Sequence, residues 1–218
     1  MNLDEYFEKV VAEFQNINHI NPKDLPNIDL YMDQVTTFMD TKLTTTKRRE
    51  DDKILTKTMI NNYAKNDLLP APVKKKYSKD HMLTLIFIYY FKHMLSITDI
   101  QTLLKPISDK YFGNKNGLDL DEIYKVIYAN SKRDLAKITE EVKSQFEKSK
   151  DSFTEEPDED REYLQLFTFL CSMAFEVYIK KHLIEQVIDG YFENYESPEA
   201  KDDKKAQKKD SKKDSKKK

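Results

Sequence analysis

Apolar positions along the chain recur at spacings of three and four wherever a segment is long enough to show a period, which predicts helices that each bury one stripe. Over residues 3–14, Tyr6, Phe7, Val10, Val11 and Phe14 form such a stripe, and Asn21-Pro22 with Leu25-Pro26-Asn27 ends the run. A second helix is predicted from Asp29 to about Asp40, with Leu30, Val35, Phe38 and Met39 inward. Thr41 to Asp52 is polar and aperiodic and reads as a loop. Thr56, a hydroxyl-bearing N-cap, starts a third helix that runs through Asn66, and Pro70 and Pro72 forbid its continuation. Ser78 caps a strongly apolar helix to about Leu95. Ser96 and Asp99 form a capping box for another, Ile97 to about Lys110, which Pro106 is predicted to kink or end early. The stretch Gly113-Asn114-Lys115-Asn116-Gly117 is a loop. From Asp119 to about Lys150, Ile123, Val126, Ile127, Leu135, Ile138, Val142 and Phe146 mark a helix of roughly 45 Å. The last helix, about Asp160 to Phe192, is apolar nearly all round its first half, which makes it central or an interface.

Four regions follow: an N-terminal amphipathic helix (1–25), a compact helical unit (26–110), a helical dimerisation or effector region (118–195) and a Lys-rich tail (196–218). The tail repeats KKDSKKDSKKK, has almost nothing to bury, and is predicted to be disordered. Composition narrows the chemistry. The chain has 218 residues but only 3 glycines, Gly113, Gly117 and Gly190, so glycine-rich phosphate cradles and dinucleotide-binding turns have nothing to be built from. The apolar runs 82–91 and 164–179 are too short or too interrupted to span a bilayer, and MNLDEYFEKV offers neither a basic start nor an apolar targeting segment. A cytoplasmic protein with no membrane partner is expected.

Charge is segregated. The formal net of −2 divides into −5 over residues 1–52, +6 over 53–79, −8 over 80–198 and +5 over 199–218. An anionic partner therefore has one folded place to dock, Lys53 to Lys79. On a helix from Thr56, Ile60 and Tyr63 share one side, while Lys57, Asn61 and Lys65 share the other without an acid among them. Asn can bond two edge atoms of adenine and Lys can serve guanine or phosphate, an inventory suited to a major groove; the alternative is a solvated polar face. Lys74, Lys75 and Lys76 follow, where a strand pair or loop could rest on backbone phosphates.

This stretch resembles the DNA-binding headpiece of MerR-type winged-helix regulators. Aligned on Leu68-Leu69-Pro70, the family's arginine falls on Asn61, its two tyrosines on Asn62 and Tyr63, and its basic-basic-Tyr-Ser wing on Lys75, Lys76, Tyr77 and Ser78. Residues 95–104 are similar to the helix that closes the headpiece. The run from Pro26 to about Leu104, some 80 residues, resembles more closely an uncharacterised family of unknown function known chiefly from Gram-positive bacteria. The chain departs from the MerR pattern in Asn61 for arginine, in Asp67 for the helix-cap glycine, in the long loop 41–52 for a tight turn, and in an extra helix at 3–14. The resemblance implies an all-α fold: a winged helix-turn-helix headpiece with a small wing, followed by long helices. It further implies a transcription regulator that binds double-stranded DNA as a homodimer, pairing through a long helix such as 119–150. Lys57, Thr58, Asn61, Asn62 and Lys65 would face the major groove, and Lys74, Lys75 and Lys76 would contact phosphate. Tyr63, Leu68, Leu69 and Tyr77 would fix their geometry.

Other chemistry has little to stand on. His19, His81, His93 and His182 lie far apart, so no metal is expected, and a calcium loop around Gly117 would put Phe112 and Ile123 where carboxylates are required. Cys171 lies in an apolar run and reads as an inert core thiol. The acids of 155–160 read as a solvated run, and no nucleophile–base pairing is visible, so neither an enzyme nor a cofactor is expected. Tyr163, Phe167, Phe169, Phe175 and Tyr178 could be core, a dimer seam or the lining of a small-molecule pocket. The alternative to the regulator is a helical adaptor for another protein, with the winged helix kept as scaffold.

Overall fold

The structure, a computed structural model, describes residues 2–14 and 19–192; the predicted Lys-rich tail lies outside the described residues. It is mostly helical, with a small wing and long C-terminal helices. The elements run α1 (Leu3–Phe14), β1 (Leu30–Tyr31), α2 (Met32–Lys42), α3 (Lys57–Lys65), β2 (Lys76–Tyr77), α4 (Lys79–Phe91), α5 (Ile97–Tyr111), α6 (Leu120–Ser149) and α7 (Asp158–Val187), the last prolonged by a π-helical turn at Ile188–Phe192.

The pillar of the fold is α4. Every residue from His81 to Ile86 is buried, and so are Ile88 and Tyr89, because α2, α3, α5 and α6 surround a helix whose apolar residues form no single stripe. Burying each of its Leu, Ile and Met side chains contributes about 2 kcal/mol. Val35, Met39, Ile60, Leu68, Leu69 and Ile100 complete the core from the neighbouring elements. Ile20 and Tyr124 close it at the far side, where the Tyr124 hydroxyl donates to the Ile20 carbonyl at 2.6 Å.

Four boundaries differ from expectation. The second helix starts at Met32, not Asp29, because Leu30 and Tyr31 are extended and pair antiparallel with Tyr77 and Lys76. The polar run 41–52 is partly structural: α2 continues to Lys42, Leu43 is fully buried, and Thr44–Thr46 make a 3-10 turn. The fourth helix stops at Phe91, short of Leu95. Pro106 lies inside α5, which runs on to Tyr111.

The capping box predicted at α5 holds at atomic scale, and α6 starts on a cap of its own, Asp119. Ser96 Oγ accepts from Asp99 N at 3.1 Å while Asp99 Oδ2 accepts from Ser96 N at 3.0 Å, and Asp119 Oδ1 accepts from Glu122 N at 2.8 Å. The stripe expected to bury α6 does so only in part: Val126 is 62% exposed, Ile127 39% and Ile138 40%. A second, smaller cluster forms where α1 lies against the end of α6 and the start of α7. Phe7 stacks on Phe146 with centroids 3.7 Å apart and meets Phe169 edge-on at 5.6 Å. Lys143 and Lys150 of α6 pair with Glu8 and Asp4 of α1. In α7, Phe169 is the one buried residue among those described, so the helix is not central, and Cys171 is exposed rather than a core thiol. Two residues on from Phe169, it stands on the opposite side of the helix.

Candidate nucleic-acid interface

Three short pieces converge here: the helix α3, the turn that ends it, and the β1–β2 wing. Thr56 Oγ1 accepts from Met59 N at 3.1 Å and starts α3 where the sequence places it. Ile60 and Tyr63 are buried against the core, which leaves Lys57, Thr58, Asn61, Asn62 and Lys65 exposed on the other face. The helix ends in a Schellman motif: Asp67 N donates to Ala64 O at 3.4 Å and Leu68 N to Tyr63 O at 2.9 Å. Asp67 sits at φ 55°, the left-handed position that MerR-type sequences give to glycine, so the departure in sequence leaves the turn intact. The chain then drops Leu68 and Leu69 into the core.

The wing is a hairpin of the tightest kind. Val73 and Lys76 bridge antiparallel, Lys76 N donates to Val73 O at 3.0 Å, and the two residues between them, Lys74 at φ 51° and Lys75 at φ 63°, are both left-handed. That is a type I′ turn built from lysines where asparagine and glycine are favoured, at a cost of about 1–2 kcal/mol per residue. Both lysines are exposed. Lys76 is half-buried with its ammonium 5.3 Å from the Tyr31 ring centroid, and Tyr77 is buried.

The joints between these pieces are braced from α4. At its start His81 is buried, its Nδ1 accepts from Ser78 N at 3.0 Å, and its ring meets Tyr77 and Phe112 edge-on. Burial holds its pKa below the usual histidine value, against the opposing pull of the Ala71 and Pro70 carbonyls and of Asp80 and Asp29. At the other end the Lys92 ammonium donates to Ile54 O at 2.6 Å, and the Tyr89 hydroxyl meets Thr46 Oγ1. Burial lowers the Lys92 pKa. The long connection between α2 and α3 is thus tied at Leu43, Thr46 and Ile54, which fixes the angle of α3 without a tight turn.

Electrostatically the face is less purely basic than α3 by itself. The Lys57 ammonium pairs with Asp33 in the first turn of α2, an acid that the sequence pattern of α3 does not reveal. Lys57 and Lys76 contact Asp33 and Tyr31, two residues apart, so the start of α3 and the base of the wing flank one short segment. Lys65, Lys74 and Lys75 have no carboxylate partner among the described residues. Tyr31 and Asp33 escape sequence reasoning because only the strand pairing brings them here. Among the described residues no group of His, Cys, Asp or Glu could hold a metal ion. An open cleft of about 700 Å³ lies elsewhere, between residues 19–24, the end of α2 and the middle of α6. No described helix is long and apolar enough to cross a membrane.

Residues 20–127 match a family described as Domain of unknown function (DUF1836). The matched stretch takes in the wing, the helices α2 to α5 and the first turns of α6, and it leaves out α1 and α7. It agrees with the resemblance to an uncharacterised family and not with a MerR-type match. Neither the curated proteins nor the solved structures contain a match to this chain.

Proposed function

We propose that the chain is a DNA-binding transcription regulator of MerR-like type, with α3 in the major groove and the wing on the phosphates of double-stranded DNA. The observation that carries the reading is the exposed face of α3: five polar side chains, two of them lysines, stand clear of the core beside a lysine-tipped hairpin. Lys57, Asn61 and Lys65 repeat every fourth residue and so follow one groove, with Thr58 and Asn62 beside them. Lys74, Lys75 and Lys76 supply charge to the backbone, and Tyr63, Leu68, Leu69 and Tyr77 hold the two pieces in register from below. A second copy would present two such faces to two half-sites. The left-handed lysines support the same reading, since strain in a hairpin tip marks a selected conformation.

Titration of duplex DNA by fluorescence anisotropy tests it. Log K should fall linearly with log salt, losing about 0.9 for each phosphate neutralised. Lys74→Glu with Lys75→Glu should weaken binding more than tenfold and flatten that slope, with the melting temperature held. Asn61→Ala should instead relax base preference at one position, at a cost of about 1–3 kcal/mol. Unchanged affinity in the lysine double variant would remove the wing from the interface.

A further inference from the structure

The inward line of α6 runs through Tyr124, Tyr128, Leu135, Thr139, Val142 and Phe146, all buried or half-buried. Its start is covered by the core, where Tyr124 lies, and its end by α1, where Phe7 stacks on Phe146. Between the two lies the open cleft of about 700 Å³. One wall, residues 20–24 with Lys42 and Thr45, belongs to the family-matched stretch; the other, from Tyr128 to Glu140, lies beyond it, a boundary position that ligand sites favour. The first wall is held in place, since Ile20 O accepts from the Tyr124 hydroxyl at 2.6 Å and Asn21 Oδ1 accepts from Lys23 N at 3.0 Å. Two ammonium groups and two carboxylates border the cleft. Lys42 and Asp24 pair with each other at 2.9 Å, while Lys132 and Glu140 make no ion pair among the described residues. Burial lowers the His19 pKa below 6.5, so its imidazole adds no charge at pH 7.

We propose that this cleft binds a short apolar peptide with free termini, its carboxylate on Lys132 and its ammonium on Glu140. Charge sets the class of ligand. One unpaired cation and one unpaired anion on the same wall match a zwitterion, whereas a simple anion meets repulsion at Glu140 and a simple cation at Lys132. Spacing sets its length: Glu140 follows Lys132 by two turns of helix, roughly 12 Å, and an extended peptide of about three residues spans roughly 10 Å before its terminal ion pairs are added. The floor between the two charges is Leu135, Ala136 and Thr139, whose hydroxyl is already bonded to Leu135 O at 2.8 Å, so it receives apolar side chains. Hydrogen bonding selects a peptide over an alkyl amino acid of the same length. The Tyr128 hydroxyl and the His19 imidazole border the cleft without a hydrogen-bond partner among the described residues, and Asn21 and Thr45 stand opposite. An alkyl chain laid over such groups leaves them unbonded, whereas peptide N–H and C=O groups satisfy them.

The proposal does not rest on DNA binding, because calorimetric titration of the full chain with the tripeptide Ala-Leu-Ala reads it without nucleic acid. Binding should be saturable, and at least tenfold weaker for the same peptide acetylated at its amino end and amidated at its carboxyl end. Lys132→Glu and Glu140→Lys should each weaken it at least tenfold. Both residues are exposed, so the melting temperature should hold. The double exchange should recover most of the loss, because the peptide then binds with its ends reversed; a double variant as weak as the single ones denies the pairing of these charges with the termini. No saturable binding of Ala-Leu-Ala up to its solubility limit overturns the proposal, as does equal binding of the blocked peptide. Binding that survives both single exchanges also overturns it and puts the peptide on the exposed apolar residues of α7. Octanoate that binds more tightly than Ala-Leu-Ala, and is lost with Lys132→Glu, overturns it in favour of an apolar monoanion.

Discussion

Lys74 and Lys75 carry the clearest conflict between local preference and tertiary demand in the molecule. Each is held left-handed, where a side chain costs about 1–2 kcal/mol and glycine costs nothing comparable. Lys74→Asn with Lys75→Gly installs the residue pair that type I′ turns favour, so the double variant should unfold at a higher denaturant midpoint, by about 1–3 kcal/mol, and bind DNA more weakly. Asp67→Gly makes the opposite pairing of effects. It relieves the same strain at the end of α3 and removes an acid beside the proposed groove-facing residues, so stability and affinity should rise together. Denaturant unfolding and anisotropy on the two proteins separate strain from charge; affinity that rises in both, or falls in both, contradicts the assignment of these residues to the interface. At this scale the sequence made exposure and burial legible, since Ile60 and Tyr63 against Asn61 and Lys65 follow from helical spacing alone. It could not reveal the φ angles of Lys74 and Lys75, which are set by the pairing of Val73 with Lys76, nor the ion pair of Lys57 with Asp33.

Helix starts were legible because their chemistry is local: Thr56, Ser96 and Asp119 each bond a backbone amide three residues ahead. The strand β1 was not legible, because two residues have no period and Leu30 is extended only where it faces Tyr77. Leu43 went unseen for a related reason, being a single apolar residue in a run of threonines, lysines and arginines. Its full burial makes the connection from α2 to α3 part of the core, in line with the tethers from Lys92 and Tyr89. Leu43→Ala should therefore cost about 2–5 kcal/mol in denaturant unfolding, the range of a core truncation. A loss below about 0.5 kcal/mol, normal for a surface loop, would mean that the connection does not position α3. The aromatic run of α7 was visible as apolar periodicity, but the exposure of Tyr163, Phe167, Phe175 and Tyr178, against the burial of Phe169, was not. A period marks an apolar face without saying whether the rest of the fold reaches it, so only the structure takes those four residues out of the core.

Over the whole molecule, a basic segment set in an acidic chain is legible from counting charges, whereas the desolvation of two imidazoles, those of buried His81 and half-buried His19, is not. His81 stands at the base of the wing and His19 near the far end of the core, where its ring lies 4.3 Å from that of Tyr90. Burial lowers both pKa values below 6.5. In the unfolded chain each would take up a proton near pH 6.5, while the folded chain resists until a lower pH; the unfolded state then binds more protons, and stability rises with pH through that window. The contribution is complete above about pH 6.5 and is lost as pH falls from there through the depressed folded values. Asp121 does not enter this range: burial pushes its pKa up, but Lys125 and Lys79 outweigh that and hold it below 3.8. The melting temperature should therefore drop between pH 7.5 and pH 5. His81→Asn, whose Oδ1 can still accept from Ser78 N, should melt lower at pH 7.5 yet show a shallower fall on acidification. A slope equal to that of the wild type would mean that protonation at the wing base is not what acid attacks.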